Sequence, residues 1–447
     1  MFGTTRFALL ASAIAITLGI GSPVAWAAHG QTDRPALAGP PLRRDDVLSI
    51  RGGRFWLDGK PFAEISFNKF DLFWHLYEEL AAGRTLDDAN PMVQAQEKAL
   101  RNLREMGFRS VRIFALPWGP EGPASYADPA KRPNLWAALD KTVELAEKHG
   151  IGLVWSLGAA NFTDTKLTDK GWVYGEEQMR ELISNRESRG RRLLYRYLDD
   201  VIARYKGRRA VLMWEISNEV TLTADIGDRD RIYEGQRMPT LKDVAGFFDD
   251  VARSIKARDP LRLVSSGGSN LRESQWNLYT RRTWDLDTFE EQFRGFELLY
   301  AKAPIDTIDI HYYPNNKAGY AIRAEGGGAT YLDLRGYMEI AGRLRKPLMI
   351  GELGVLGAPK SDEKVWKETP DYFTSAEDPA AWPWVKRTLD AVIEARVPLS
   401  YWWAYQSDRP VDQKPGERWY IERELTPKLM QLFIDANRRL KETLGVR

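Results

Sequence analysis

The chain has 447 residues, of which 43% are hydrophobic and 11% aromatic, so it can bury a large core. Its formal net charge of +2 is small for that length, and no block of like charge runs five or six residues, so nucleic acid is not an expected partner. Cysteine is absent, which excludes disulfides and thiolate chemistry together.

From the N-terminus, Arg6 supplies a positive region, Phe7 to Ile20 a short apolar stretch, and Ala25-Trp26-Ala27 small residues where a signal peptidase would cut. Residues 1–27 are therefore predicted to be a signal peptide. The other reading, a membrane anchor, needs ~20 apolar residues, and the run is shorter than that. Cleavage predicts a secreted or periplasmic protein with no membrane partner. Residues 28–46 are polar and rich in Pro and Gly, and they predict a flexible mature N-terminus. An Asp58-Gly59 pair between apolar flanks then marks a hairpin, suited to capping the bottom of a barrel. Asn161-Phe162-Thr163 matches the N-glycosylation pattern.

Beyond the hairpin, short apolar strands alternate with amphipathic helical stretches. Strands are predicted at Ala63–Asn68, Ser110–Ala115, Gly152–Leu157, Ala210–Ser217, Arg262–Ser266, Thr307–His311, Leu348–Glu352 and Leu399–Tyr405. Helices are predicted between them, among them Val93–Met106, Asn134–His149, Leu193–Tyr205 and Leu241–Ala257. The links from helix to next strand are very short, such as His149-Gly150 and Asp259-Pro260. Loops leaving the strands are long, such as Asn218 to Thr240 and Ser265 to Thr288. Eight such units predict a (β/α)₈ TIM barrel over residues 47–447, as one catalytic domain whose site lies at the C-terminal ends of the strands. An open doubly wound sheet would also alternate, but no Gly-rich phosphate loop follows the first strand.

Two carboxylates stand where strands end, in Trp214-Glu215-Ile216-Ser217-Asn218-Glu219 and Ile350-Gly351-Glu352-Leu353-Gly354. A glutamate at the mouth of an apolar strand is costly unless it is paired or employed. Retaining cleavage of a glycosidic bond uses two such groups ~5 Å apart. Each motif alone is weak, since Asn-Glu also caps helices and Gly-Glu-Leu-Gly also makes tight turns. Their joint placement after the fourth and seventh strands resembles glycoside hydrolase family five, the cellulase and mannanase family, from about Phe55 to the end of the chain.

That resemblance implies Glu219 as acid/base, Glu352 as nucleophile and Asn218 on the sugar's 2-hydroxyl. Arg112, in Val111-Arg112-Ile113-Phe114, matches an arginine that holds the nucleophile ionised. His311 and Tyr313, in His311-Tyr312-Tyr313-Pro314, match a pair in which Tyr313 bonds the nucleophile and His311 contacts sugar or acid/base. Of Trp402 and Trp403, strand alternation lets only one face the mouth, and Trp403 is chosen for sugar stacking. The expected pKa order is a raised Glu219 and a low Glu352. No catalytic metal and no cofactor is expected, because the four histidines show no ligand spacing.

The sequence departs from the family at Trp155-Ser156-Leu157-Gly158, where many cellulases carry a histidine, and at Phe67-Asn68-Lys69-Phe70-Asp71. Both segments shape the site around the sugar, so they bear on substrate. Trp118, Trp172, Trp276 and Trp284 fall in predicted mouth loops, suited to a polysaccharide. The expected activity is double displacement on a β-linked glycan of the β-mannan or β-glucan type. A catalytically silent carbohydrate-binding barrel and a transglycosylase using the same glutamates are the alternatives.

Overall fold

The computed structural model describes residues 42–117, 121–163, 166–168, 171–173, 179–226, 238–314, 317–354, 382–405, 421–424 and 426–446. The proposed signal peptide, the spacer as far as residue 41, Trp118 and the side chain of Trp172 lie outside the described residues. Of the predicted spacer, residues 42–46 are described. Arg44–Asp46 form a 3-10 turn, in which the Arg43 N–H donates to Asp46 at 2.8 Å, and Val47 and Leu48 beyond it are fully buried. Leu48 packs with Phe55 and Leu57 against the lower residues of the barrel.

The barrel strands are β1 (Glu64–Asn68), β2 (Ser110–Phe114), β3 (Gly152–Ser156), β4 (Val211–Glu215), β5 (Leu263–Ser265), β6 (Ile308–Tyr312), β7 (Leu348–Leu353) and β8 (Leu399–Trp402). All eight predicted strands are present, with ends within three residues of the prediction; β8 stops three short, at Trp402, while β6 and β7 run one residue further than predicted. Their hydrogen-bonded order is β5-β4-β3-β2-β1-β8-β7-β6, parallel throughout. Because β1 pairs with β8, the sheet curls on itself, and the doubly wound alternative falls.

Among the described residues no ladder joins β5 to β6; one backbone bond and several side chains close that seam. The Asp306 N–H donates to the Val264 carbonyl at 2.8 Å, and the Val264 N–H donates to the Asp306 carboxylate at 2.7 Å. Higher up, one oxygen of the buried Asp309 accepts from the hydroxyls of Ser265 and Ser266 and from the N–H groups of Ser266 and Gly267. Burial pushes the Asp309 carboxyl up, and these donors oppose that without overcoming it.

Helices alternate with the strands, and local chemistry sets their ends. The Asn90 side chain accepts from the N–H groups of Met92 and Val93, just ahead of Pro91, which starts the helix Pro91–Glu105. Thr240 with Asp243, and Thr288 with Glu291, form reciprocal capping boxes before Leu241–Arg258 and Phe289–Tyr300. At the other end Arg132–His149 stops at Gly150, which turns the chain into β3 within two residues.

The N-terminal segment folds as three antiparallel strands, Ser49–Arg51, Arg54–Leu57 and Lys60–Pro61, with Asp58-Gly59 as the second turn. Its Phe55 and Leu57, with Leu48, pack against Leu212, Met213, Leu263, Met349 and Leu399. Those are the inward-facing residues of the strands, so the hairpin plugs the barrel's N-terminal end as predicted.

Candidate active site

Register brings charged residues together at the opposite end. Phe114, Ser156, Glu215 and Ser265 lie side by side across β2 to β5, while Arg112 stands level with Asn68 and Val154 below them. Arg112 is fully buried. Its Nε and Nη2 donate to the two oxygens of Glu215, each at 2.7 Å. Nη2 also donates to Asn218 Oδ1 at 2.6 Å, and Nη1 donates to Asn68 Oδ1 at 2.8 Å and to Glu352 Oε1 at 3.4 Å. A guanidinium carries five N–H donors in a fixed fork, and this geometry engages all of them. Burial would depress the guanidinium, but Glu215, and behind it Glu352, more than reverse that, so Arg112 stays charged.

This modifies the expectation for Arg112. The residue does touch Glu352, but its short, paired bonds go to Glu215, which the sequence reading left without a role. Asn218 spends its carbonyl oxygen on Arg112, so its amide N–H groups are the side to offer a substrate hydroxyl.

Glu352 and His311 meet because of a bulge. The β6–β7 register shifts between Ile310, paired with Ile350, and His311, paired with Glu352, so Gly351 is the extra residue. A Cβ there would come within 3.0 Å of His311 Nε2, so glycine permits the approach. His311 Nδ1 lies 2.8 Å from Glu219 Oε1 and 3.4 Å from Glu352 Oε2. The Tyr313 hydroxyl donates to Glu352 Oε2 at 2.8 Å. The Tyr320 hydroxyl accepts from the Tyr313 N–H and donates to the His311 carbonyl, at 2.7 and 3.0 Å. Tyr320 thereby fixes the segment carrying both residues.

Glu219 has a φ of 52°, a left-handed conformation uncommon for glutamate, immediately before the 3-10 turn Val220–Thr223. Its N–H donates to the Gly267 carbonyl at 2.8 Å. Gly267 itself has φ 65°, and a Cβ on it would sit 1.8 Å from the Ser217 carbonyl oxygen and 2.6 Å from the Glu215 carboxylate. Only glycine fits there, so residue 267 sets how closely the end of β5 approaches both glutamates of the β4 motif.

Oxygens of Glu219 and Glu352 and a nitrogen of His311 all lie within 4.8 Å of one another. The imidazole stands between the two carboxylates, within reach of both. Burial disfavours charge on His311, but Glu352 and Glu219 on either side outweigh it and raise its pKa. Burial raises Glu352, His311 opposes this, Glu219 adds to it, and the net direction is up. Burial also raises Glu219, but the charge and hydrogen bond of His311, with Arg112 behind, bring it below the ordinary value. The order is the reverse of the one expected from sequence. Its cause is position: Glu219 has the shorter bond to His311, whereas Glu352 shares Arg112 with Glu215. Tyr313 is pushed far up by burial and by Glu352, so it stays a hydrogen-bond donor.

Strand alternation separates the tryptophans as expected. Trp402 is buried against Phe433, outside the barrel. Trp403 is half-buried, stacked on Phe70 with centroids 5.1 Å apart and edge-on to Phe114 at 6.1 Å. Those rings follow β1 and end β2, which puts Trp403 at the mouth. Of the loop tryptophans, Trp276 packs on Tyr279 and Trp284 is exposed.

Asn68 and Glu215 were legible but missed. The rule that flagged Glu219, a carboxylate on an apolar strand, applies equally to Glu215. The unfamiliar end of β1 is explained by Asn68, whose amide donates to the carbonyls of Gly351 and Tyr401 while its oxygen receives Arg112.

No protein-family model matches the sequence, and no curated protein matches it. Solved structures do match in shape. A glycoside hydrolase family 5 mannosidase from Rhizomucor miehei superposes with a TM-score of 0.61 at 17% identity, over 90% of this chain and 99% of that one. An endo-1,4-β-mannanase from the same organism gives 0.55 at 13% identity, over 89% and 99%. The hyperthermostable endo-1,4-β-D-mannanase of Thermotoga petrophila RKU-1 gives 0.52 at 18% identity, over 84% and 99%. The chain shares their fold.

Proposed function

We propose that the protein is a retaining glycoside hydrolase acting on β-linked mannan or its oligosaccharides. The observation that carries this is the pair of glutamates at the ends of β4 and β7, with carboxylate oxygens within 4.8 Å. Retaining enzymes hold their two carboxyls ~5–5.5 Å apart, whereas inverting enzymes need ~6.5–9.5 Å to admit a water. Mannan is the substrate class because the solved structures sharing the fold are mannosidases and mannanases, and one was solved with mannosyl-fructose bound.

In this reading Glu352 attacks the anomeric carbon, the glycosidic C–O bond breaks, and the proton of Glu219 goes to the departing oxygen. Water then gives a proton to Glu219 and displaces Glu352 from the sugar. Reaction needs a proton on Glu219, and His311 Nδ1, in reach of both carboxylates, is the group placed to pass one to it. Asn218 meets the 2-hydroxyl with its amide, and Trp403 offers a ring face to the sugar. The N-terminal stretch supports export to the periplasm or beyond. Among the described residues no helix is long and apolar enough to cross a membrane.

The test is hydrolysis of β-1,4-mannan, mannooligosaccharides, β-glucans and aryl β-mannosides, with the product anomer followed by NMR. Release of the β-anomer first, from mannosides in preference to glucosides, and its loss in Glu352→Ala, is the expected result. Inverted product, or wild-type turnover in Glu352→Ala, overturns the reading.

A further inference from the structure

The five bonds of Arg112 are unequal, and the inequality has a consequence for Glu352. Glu215 takes two of them in a parallel fork at 2.7 Å, whereas Glu352 receives one at 3.4 Å. Paired, short, charge-assisted bonds are the stronger kind, so the guanidinium is held in place and largely neutralised by Glu215. Glu215 cannot swing away, because it is fully buried and its carboxylate abuts the α-carbon of Gly267.

We propose that Glu215 is a positioning residue that takes up most of the charge of Arg112 and so leaves Glu352 a weakly paired, basic nucleophile. This rests on Glu352 being the nucleophile. A carboxylate in full ion pair with a buried arginine would be stable and unreactive, while one with no cation nearby would hold its proton. Glu215 sets the level between these extremes.

The groups facing Glu352 are Arg112 from β2, Glu219 beyond β4, and His311 and Tyr313 from β6 and the segment after it. Those facing Glu215 are Arg112, with Asp309 of β6 and Tyr401 of β8 farther off. Burial pushes the Glu352 carboxyl up, and Arg112, shared with Glu215, opposes that without reversing it. Glu215 also fixes the plane of the fork, which sets the direction of Nη2 toward Asn218 and of Nη1 toward Asn68.

The experiment compares wild type, Glu215→Gln and Glu215→Asp. The carboxyl pKa of Glu352 is read by NMR of ¹³C-labelled glutamate, with Glu352→Gln identifying the signal. This readout needs no turnover, so it stands apart from the test of the proposed function. Removing the charge of Glu215 returns Arg112 to Glu352, so in Glu215→Gln the Glu352 pKa falls, by about one unit. The acid limb of kcat/KM on an aryl mannoside moves down with it. Glu215→Asp keeps the charge and should leave Glu352 close to wild type. If Glu215 only buttresses the barrel, Arg112 loosens in Glu215→Gln and the Glu352 pKa rises instead, which overturns the proposal. Should both variants fail to fold, wild type alone decides. A Glu352 that titrates above an ordinary glutamate supports the shared cation, and one that titrates below it refutes it.

Discussion

The two ends of this barrel are built from the same eight strands on opposite plans. At the N-terminal end the inward side chains are Leu212, Met213, Leu263, Met349 and Leu399, closed over by Phe55 and Leu57 of the hairpin. At the C-terminal end, higher in the barrel, they are Asn68, Arg112, Glu215, Glu352 and His311, all buried. The lower end gains by removing apolar surface from water. The upper end has paid desolvation for several charges and recovers it through mutual bonding, which is full at Arg112, while the buried His311 Nε2 has no hydrogen-bond partner among the described residues. Stability therefore belongs mainly to the bottom and reactivity to the top, and substitutions at the two ends should separate these properties.

The largest effect should come from Glu352→Ala, with kcat falling ~10⁴-fold or more and the thermal unfolding midpoint near wild type. Near-wild-type turnover there would mean that the cluster at the mouth is structural. Gly267→Ala should damage both properties, because its Cβ collides with the Ser217 carbonyl. A loss of about 3 kcal/mol or more, with activity lost alongside, is expected from denaturant unfolding and kinetics on one preparation. A neutral Gly267→Ala would show that the ends of β4 and β5 can part without consequence.

Phe55→Ala sharpens the contrast from below. It should cost about 3–5 kcal/mol while leaving kcat/KM within about twofold, since Phe55 is buried in the plug and touches nothing at the mouth. A large loss of kcat/KM in the folded variant would break the separation. The smallest effect is on pH. With its folded-state pKa raised, Glu352 binds its proton more tightly in the folded protein than in the unfolded chain. Its charging therefore removes stability as pH rises from the ordinary value of about 4.3 toward the raised one. Glu352→Gln should then be at least as stable as wild type at pH 7, and the wild-type acid limb of kcat/KM should lie above that ordinary value. A limb below it would mean that Arg112 governs Glu352 after all.

Much of the molecule could be read from the chain. Eight strands and the capping hairpin follow from apolar periodicity and turn residues, and the Glu219 and Glu352 motifs from their place at strand ends, which are local properties; Arg112, Asn218, His311 and Tyr313 entered through the family resemblance that those motifs carry. Alternation alone also separated Trp402 from Trp403. Pairing between distant strands was not local. The bulge at Gly351 puts His311 opposite Glu352, a steric demand at Gly267 sets the approach of β5 to β4, and serine and aspartate side chains close the seam between β5 and β6. The division of Arg112 between Glu215 and Glu352, and the place of His311 between the two glutamates, were decided only by tertiary structure. A pKa depends on distances of a few ångströms between residues dozens to hundreds of positions apart, and those distances are fixed by packing.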